Sequence, residues 1–164
     1  MALIHQSLYQ GENVSSINMP LYLQRMIGYL AETFKVETVA RFELEADNIE
    51  LDVSQAVPIG LIINEAVSNA IKFSLFTKSK VLQVAIAMHM DQNRNVTVSI
   101  SDNGQEMHTN ADQYHLKTMG AKLMKDLTEK DLEGHFSINT EKGMAVNVQF
   151  MARELAAEMK QEII

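Results

Sequence analysis

Residues 59–73, Ile-Gly-Leu-Ile-Ile-Asn-Glu-Ala-Val-Ser-Asn-Ala-Ile-Lys-Phe, are apolar everywhere except along one stripe. At about 100° of rotation per residue, Asn64, Ser68, Lys72, Glu65 and Asn69 fall within an arc of about 140° on a helix. Ile59, Leu61, Ile62, Ile63, Ala66, Val67, Ala70, Ile71 and Phe73 cover the remainder, which is the division expected of an amphipathic helix set into a core. The stripe itself has an unusual composition. Asn and Ser compete for backbone hydrogen bonds and are indifferent helix formers, whereas a plain solvated face favours Glu, Lys, Gln and Arg. Two readings fit: a solvated face, or a helix that offers a ligand two carboxamides, a carboxylate and an ammonium. In the second reading these groups supply a metal ligand, a base or water-holder, and a phosphate partner.

A second feature follows at a distance. Val96-Thr97-Val98-Ser99-Ile100-Ser101 alternates like a half-buried strand and runs directly into Asp102-Asn103-Gly104. A carboxylate at a strand end, followed by a flexible glycine turn, can face a cleft and accept hydrogen bonds from a base-like ring. Asp, Asn and Gly are also the commonest turn residues, so taken alone the tripeptide equally marks a tight turn.

The rest of the chain arranges itself around these two features. Residues 1–9 fit a short helix, broken by the polar run Gly11-Glu12-Asn13-Val14-Ser15-Ser16. Pro20 suits a helix start, and Leu21, Leu23, Met26, Ile27 and Leu30 carry a core stripe to Phe34. Residues 39–45 alternate as a strand, and Ile49, Leu51 and Val53 make a short second one. Ser54 then reads as an N-cap, with Pro58 near the first turn of the asparagine-bearing helix. Residues 80–90 and 96–101 predict an antiparallel pair joined by Asp91-Gln92-Asn93-Arg94-Asn95. Residues 105–118 read as a loop, and residues 120–132 as a helix with Leu123, Leu127 and Leu132 inward. Phe136 and Ile138, then Val146, Val148 and Phe150, alternate around Glu141-Lys142-Gly143. The Ala- and Glu-rich residues 151–164 are predicted helical. Helix, two strands, helix, two strands, helix, two strands is the order of an α+β two-layer sandwich, with helices covering one face of a mixed sheet.

Composition removes several classes of function. The chain has 164 residues, enough for one domain with short appendages. A net charge of −7 without any basic stripe argues against nucleic acid or an anionic membrane as partner. There are no cysteines, which excludes disulfides, thiolate metal sites and thiol nucleophiles, and suits the cytoplasm. No apolar run reaches the length of a membrane span, and the N-terminus lacks the plan of a signal peptide. The eleven methionines are expected as core filler.

Together, the asparagine-bearing helix and Asp102-Asn103-Gly104 resemble the GHKL nucleotide-binding superfamily, and most closely the ATP-binding catalytic domain of bacterial sensor histidine kinases. Residues 64–73 look like that family's asparagine box, and Asp102 to Gly104 like the start of its first glycine box. Gly120 stands where the second belongs. Residues 1–10 are similar to the end of the second dimerisation helix of one kinase subfamily. The resemblance implies the end of a dimerisation helix and a linker over residues 1–15, an ATP-binding domain over 16–151, and a tail over 152–164.

By the same resemblance, Asn69 is the magnesium ligand, Asn64 and Lys72 approach the phosphates of ATP, and Glu65 polarises the reactive group as the catalytic residue. Phe73 stacks near the nucleotide, Asp102 accepts the adenine amino hydrogen, Gly104 lets the backbone come close, and Gly143 belongs to the late glycine-threonine pair that helps to hold adenine. Gly120 opens a helix whose amides favour phosphate. The implied partners are a response regulator and a second kinase protomer or phosphoacceptor helix, with no nucleic acid and no direct membrane contact. The implied acceptor histidine is on a helix outside the chain. His5 is expected to be structural, His89 to be a strand residue, His108 and His115 to lie in the lid without a metal-ligand partner, and His135 to pack; none of them reads as a catalyst.

Three positions depart from the family pattern. Glu106 replaces the second glycine of the first box, Thr118-Met119 replace the residues before Gly120, and Met144 stands where a threonine hydroxyl usually helps to hold adenine. These departures keep a second expectation open, a nucleotide-free docking or dimerisation module on the same fold.

Overall fold

The computed structural model describes residues 16–37, 39–74, 81–104, 119–139, 141 and 143–155, with backbone only at residues 73 and 74. The chain opens with a short strand β1 (Ser16–Asn18) and a helix α1 (Met19–Thr33). Next come strands β2 (Ala40–Ala46) and β3 (Glu50–Asp52), then the long helix α2 (Val53–Ser74). Strands β4 (Leu82–Met90) and β5 (Asn95–Asp102) lead to helix α3 (Met119–Asp126), which runs on as a π-helical turn over Leu127–Asp131. Strands β6 (His135–Asn139) and β7 (Ala145–Met151) complete the described fold.

Helix α1 starts at Met19 because Asn18 caps it, its Oδ1 accepting the Leu21 N–H at 3.0 Å, with Pro20 in the first turn. Its stripe of Tyr22, Leu23, Met26, Ile27 and Leu30 is buried. The cap of α2 is Asp52 rather than Ser54. The Asp52 Oδ1 accepts the Ser54 N–H at 2.9 Å and the Ser54 hydroxyl besides, and the hydroxyl bond first, then the amide, holds its carboxyl below the ordinary value. The helix therefore begins earlier than the sequence suggests, and Pro58 falls in its second turn.

Five strands form one sheet in the order β2-β4-β5-β7-β6. The pair β2 and β4 is parallel, with Phe42 opposite Val84, and the other pairs are antiparallel. This is the mixed sheet the sequence implied. What the sequence did not show is β1, which pairs antiparallel with β3 in a separate two-stranded sheet, Ile17 opposite Leu51. Three residues inside a polar stretch give no periodicity to read.

The period-2 pattern places Val84, Ile86, Met88, Val96, Val98, Ile100, Val146, Val148 and Phe150 in the core with Ile59, Ile62, Ile63 and Ile71 of α2. The opposite face carries Glu43, Gln83, Ala85, Thr97, Ser137 and Gln149 to solvent, so helices cover one side only. Met19, Met26, Met88, Met124 and Met144 are buried, in keeping with methionine as filler, while Met119 and Met151 are exposed. Helix α3 turns Ala121 and Met124 inward, followed by Thr128 and Leu132, and this leaves Leu123 exposed, contrary to the sequence reading. His135 is exposed as well rather than packed. Residues 152–155 are not helical, and the expected helices at 1–9 and 156–164 lie outside the described residues.

One buried group is unusual. The Tyr22 hydroxyl, carried on a side chain buried against Gly60 of α2, has no hydrogen-bond partner among the described residues, and burial pushes its phenol well above the ordinary value. No described helix is long and apolar enough to cross a membrane.

Candidate functional site

The direction of α2 fixes where its polar stripe ends up. Near its first turn, the buried Gln55 carboxamide donates to the Met151 carbonyl and accepts from the Arg153 N–H, both at 2.9 Å. The Arg153 guanidinium also reaches the Ser54 hydroxyl and the Asp131 carbonyl. These bonds pin the N-terminal end of α2 to the last residues of β7. From Gln55 to Asn69 a helix advances about 21 Å. From Met151 back to Gly143 an extended strand covers about 27 Å. Asn64, Glu65 and Asn69 therefore lie toward the pole of the sheet where β7 begins and the antiparallel β5 ends, Ser101 opposite Ala145.

At that pole two groups of side chains assemble. The first joins α2 to the start of α3. The Cα of Gly120 lies directly against the Glu65 carboxylate, and a Cβ there would overlap Oε1 and come within 3.3 Å of the Asn69 amide nitrogen. The absence of a Cβ leaves room for this approach, and a carboxylate at a helix N-terminus is favourably placed against the backbone dipole. Asn64, Glu65 and Asn69 are half-buried, Ser68 is buried and Lys72 is exposed. The carboxylate and the carboxamides thus line a partly sheltered surface rather than a fully solvated one. The side chain of Phe73 and the whole of Glu106 and Thr118 lie outside the described residues.

The second group surrounds Asp102 at the end of β5. Its Oδ1 accepts the Gly104 N–H at 2.8 Å and the Met144 N–H at 3.4 Å, and its own N–H donates to the Met144 carbonyl at 3.0 Å. Gly143 adopts a φ of +86°, which L side chains rarely take, and packs its Cα on the Asp102 carbonyl. The carboxylate is therefore held by backbone donors from two directions. Met144 fills a different role from the threonine its position suggests. Its side chain is buried, and its main chain makes the contact with Asp102.

The sequence brought forward Asp102, Gly104, Gly120 and Gly143, and the structure places them in these two groups, Gly120 meeting Glu65 and Asn69. Lys72 lies in the last turn of α2, three residues beyond Asn69, and is exposed. Sequence reasoning missed the Met144 main chain and the side chain of Asn103, which binds the neighbouring strand. A turn-forming Asn was the only signal for the latter. No cluster of three or more His, Asp and Glu with metal-binding geometry occurs among the described residues.

Residues 54–154 match the family model described as histidine kinase-, DNA gyrase B-, and HSP90-like ATPase. No curated protein matches the chain in sequence. Among solved structures, the histidine kinase domain of the Erythrobacter litoralis EL346 blue-light activated histidine kinase superposes with a TM-score of 0.77 at 17% identity, over 92% of this chain and 70% of that one. The mycobacterial sensor histidine kinase MprB gives 0.64 at 14% identity, over 85% of this chain and 98% of that one. The Acinetobacter baumannii histidine kinase AdeS gives 0.65 at 13% identity, over 93% and 75%. At such identities the likeness is one of fold.

Proposed function

Because the chain belongs to the family of histidine kinase-, DNA gyrase B- and HSP90-like ATPases, we propose that it is the ATP-binding catalytic domain of a two-component sensor histidine kinase, working in the cytoplasm. The observation that carries this reading is the Asp102 carboxylate. It is oriented by the Gly104 and Met144 amides at the same end of the sheet as Glu65 and Asn69. A fixed acceptor of this kind suits the exocyclic amine of adenine, and it rejects guanine, which presents a carbonyl oxygen at the same place.

The donors at the site fit a nucleotide with a hard cation. The Asn69 carboxamide oxygen is the type of ligand magnesium takes, and the start of α3 is the type of surface that receives phosphate. Magnesium, when bound, supplies neutralising charge to the phosphates. In this reading Asn64 and Lys72 orient the phosphates, and Glu65 holds or receives a proton beside the acceptor. Gly104 and Gly143 leave room for the base. Phosphoryl transfer of this kind relies mainly on positioning and charge stabilisation. The acceptor is a histidine on a dimerisation helix, in the same or a second protomer, and a response regulator takes the phosphoryl group onward.

Thermal unfolding in the presence of ATP, ADP and GTP, with and without magnesium, tests the assignment. Ligand at about 100 times its Kd stabilises by about 2.7 kcal/mol. The expected result is stabilisation by the adenine nucleotides alone, strengthened by magnesium and lost in Asp102→Asn. Equal stabilisation by GTP, or none by any nucleotide, contradicts it. Transfer of labelled γ-phosphate to a histidine-bearing dimerisation domain, giving an acid-labile product, tests the catalytic half.

A further inference from the structure

Asn103 is exposed and lies between the two residues expected to meet the base, yet its side chain points away from them into the adjacent strand. The β4–β5 ladder is regular as far as the pair Val84 and Asp102. At the next step the pattern changes. The Asn103 N–H still donates to the Gln83 carbonyl at 3.1 Å. The return bond, from the Gln83 N–H, goes to the Asn103 side-chain Oδ1 at 2.7 Å. The same carboxamide donates through Nδ2 to the Val81 carbonyl at 3.1 Å.

The side chain of Asn103 has therefore taken over the ladder role of its own main chain. That exchange has a geometric consequence. Once the carboxamide closes the ladder, the backbone can leave the sheet immediately after Asp102. The Gly104 N–H then turns back to the Asp102 Oδ1 at 2.8 Å. If the main-chain carbonyl of Asn103 continued the ladder instead, Gly104 would extend along β4 and its amide would be drawn away from the carboxylate. An aspartate at this position retains an acceptor for Gln83 but has no donor for Val81, and a serine is too short to serve both strand positions.

We propose that Asn103 is a positioning residue for nucleotide recognition: its carboxamide, hydrogen-bonded to Gln83 and Val81, sets the Asp102–Gly104 turn that orients the Asp102 carboxylate. The inference rests on the reading of Asp102 as the adenine acceptor. Asn103 itself touches no nucleotide in this scheme and acts only through Asp102.

The test is a double-mutant cycle in adenine-nucleotide affinity, with wild type, Asn103→Ala, Asp102→Ala and the double variant titrated with Mg-ADP and checked for thermal unfolding. Its companion is amide hydrogen exchange at Gly104 and Met144 in the free protein. Losing one or two hydrogen bonds that order the turn should weaken Mg-ADP binding about three- to ten-fold in Asn103→Ala. The double variant should bind no worse than Asp102→Ala, and exchange at Gly104 and Met144 should quicken while the centre of β5 stays protected. Wild-type affinity in Asn103→Ala beside a loss in Asp102→Ala would overturn the positioning role and leave the adenine assignment standing. An equal further loss in the Asp102→Ala background would overturn it too, because Asn103 would then act independently. If Asp102→Ala binds like wild type, the adenine reading fails, and unchanged exchange at Gly104 and Met144 in Asn103→Ala would sink the structural claim separately.

Discussion

Replacing Gly143 by alanine strikes the point where strand β7 is joined to the end of β5. At a φ of +86°, an alanine leaves the preferred backbone regions at a cost of about 1–2 kcal/mol. Its methyl would also overlap the Asp102 carbonyl and approach Oδ1 at 3.2 Å. The carbonyl belongs to the backbone of β5, so relief requires a backbone shift, and overpacking of this kind costs about 1–3 kcal/mol. The combined loss is about 2–5 kcal/mol, a large part of the 5–15 kcal/mol typical of a domain. Urea unfolding followed by circular dichroism should show a lower midpoint with an unchanged slope. Where the variant remains folded, adenine-nucleotide affinity should fall as well, because the shift separates the Met144 amide from the carboxylate. Gly28 is the matched control. It lies exposed in α1 with nothing within 4 Å of an added Cβ, and Gly28→Ala should stabilise by about 0.5–1 kcal/mol. A Gly143→Ala variant that loses less than about 1 kcal/mol and binds nucleotide normally would refute this reasoning.

Tyr22→Phe removes a buried hydroxyl without a partner among the described residues, so it should leave stability unchanged or raise it by about 1 kcal/mol in thermal unfolding. A loss of similar size would mean that the hydroxyl is satisfied. Asp52→Ala removes the cap of α2 and should cost about 1 kcal/mol at neutral pH. The Asp52 carboxyl is held below its ordinary value, so its contribution is present above that value and fades as pH falls through the lower, folded one. The gap between wild type and variant should therefore narrow in unfolding curves below about pH 4. Gly120→Ala would displace the Glu65 carboxylate, the mobile end of a flexible side chain, so stability should change by less than about 1 kcal/mol. Magnesium-nucleotide affinity, read by calorimetry, should still drop about five-fold or more as the methyl fills the approach between α2 and α3.

Long periodic segments were legible in the sequence, because burial imposes its period on every residue. Helix α2, strands β4, β5 and β7, and the one-sided mixed sheet followed from that. Elements held by a few hydrogen bonds were not. Strand β1 exists because three residues meet β3, and α2 begins where it does because the Asp52 side chain reaches the Ser54 amide and hydroxyl. Leu123 was misplaced because an apolar residue on a short helix can face either way until the packing of Ala121 and Met124 decides. At the site, glycines and an aspartate stood out as residue types. The main-chain donor of Met144 carries no sequence signal, since any residue but proline has one. The missing hydroxyl at Met144 was legible from the residue type; that its side chain is buried while its main-chain N–H reaches Asp102 was not.

The most direct measurement is isothermal titration of the chain with ADP and a non-hydrolysable ATP analogue, with and without magnesium, beside Asn69→Ala and Asp102→Ala. Saturable binding that magnesium strengthens is expected. Asn69→Ala should remove the magnesium dependence, and Asp102→Ala should remove most of the affinity. No binding up to millimolar nucleotide, by a chain whose unfolding shows it to be folded, would contradict the assignment and leave a docking module on an ATPase fold.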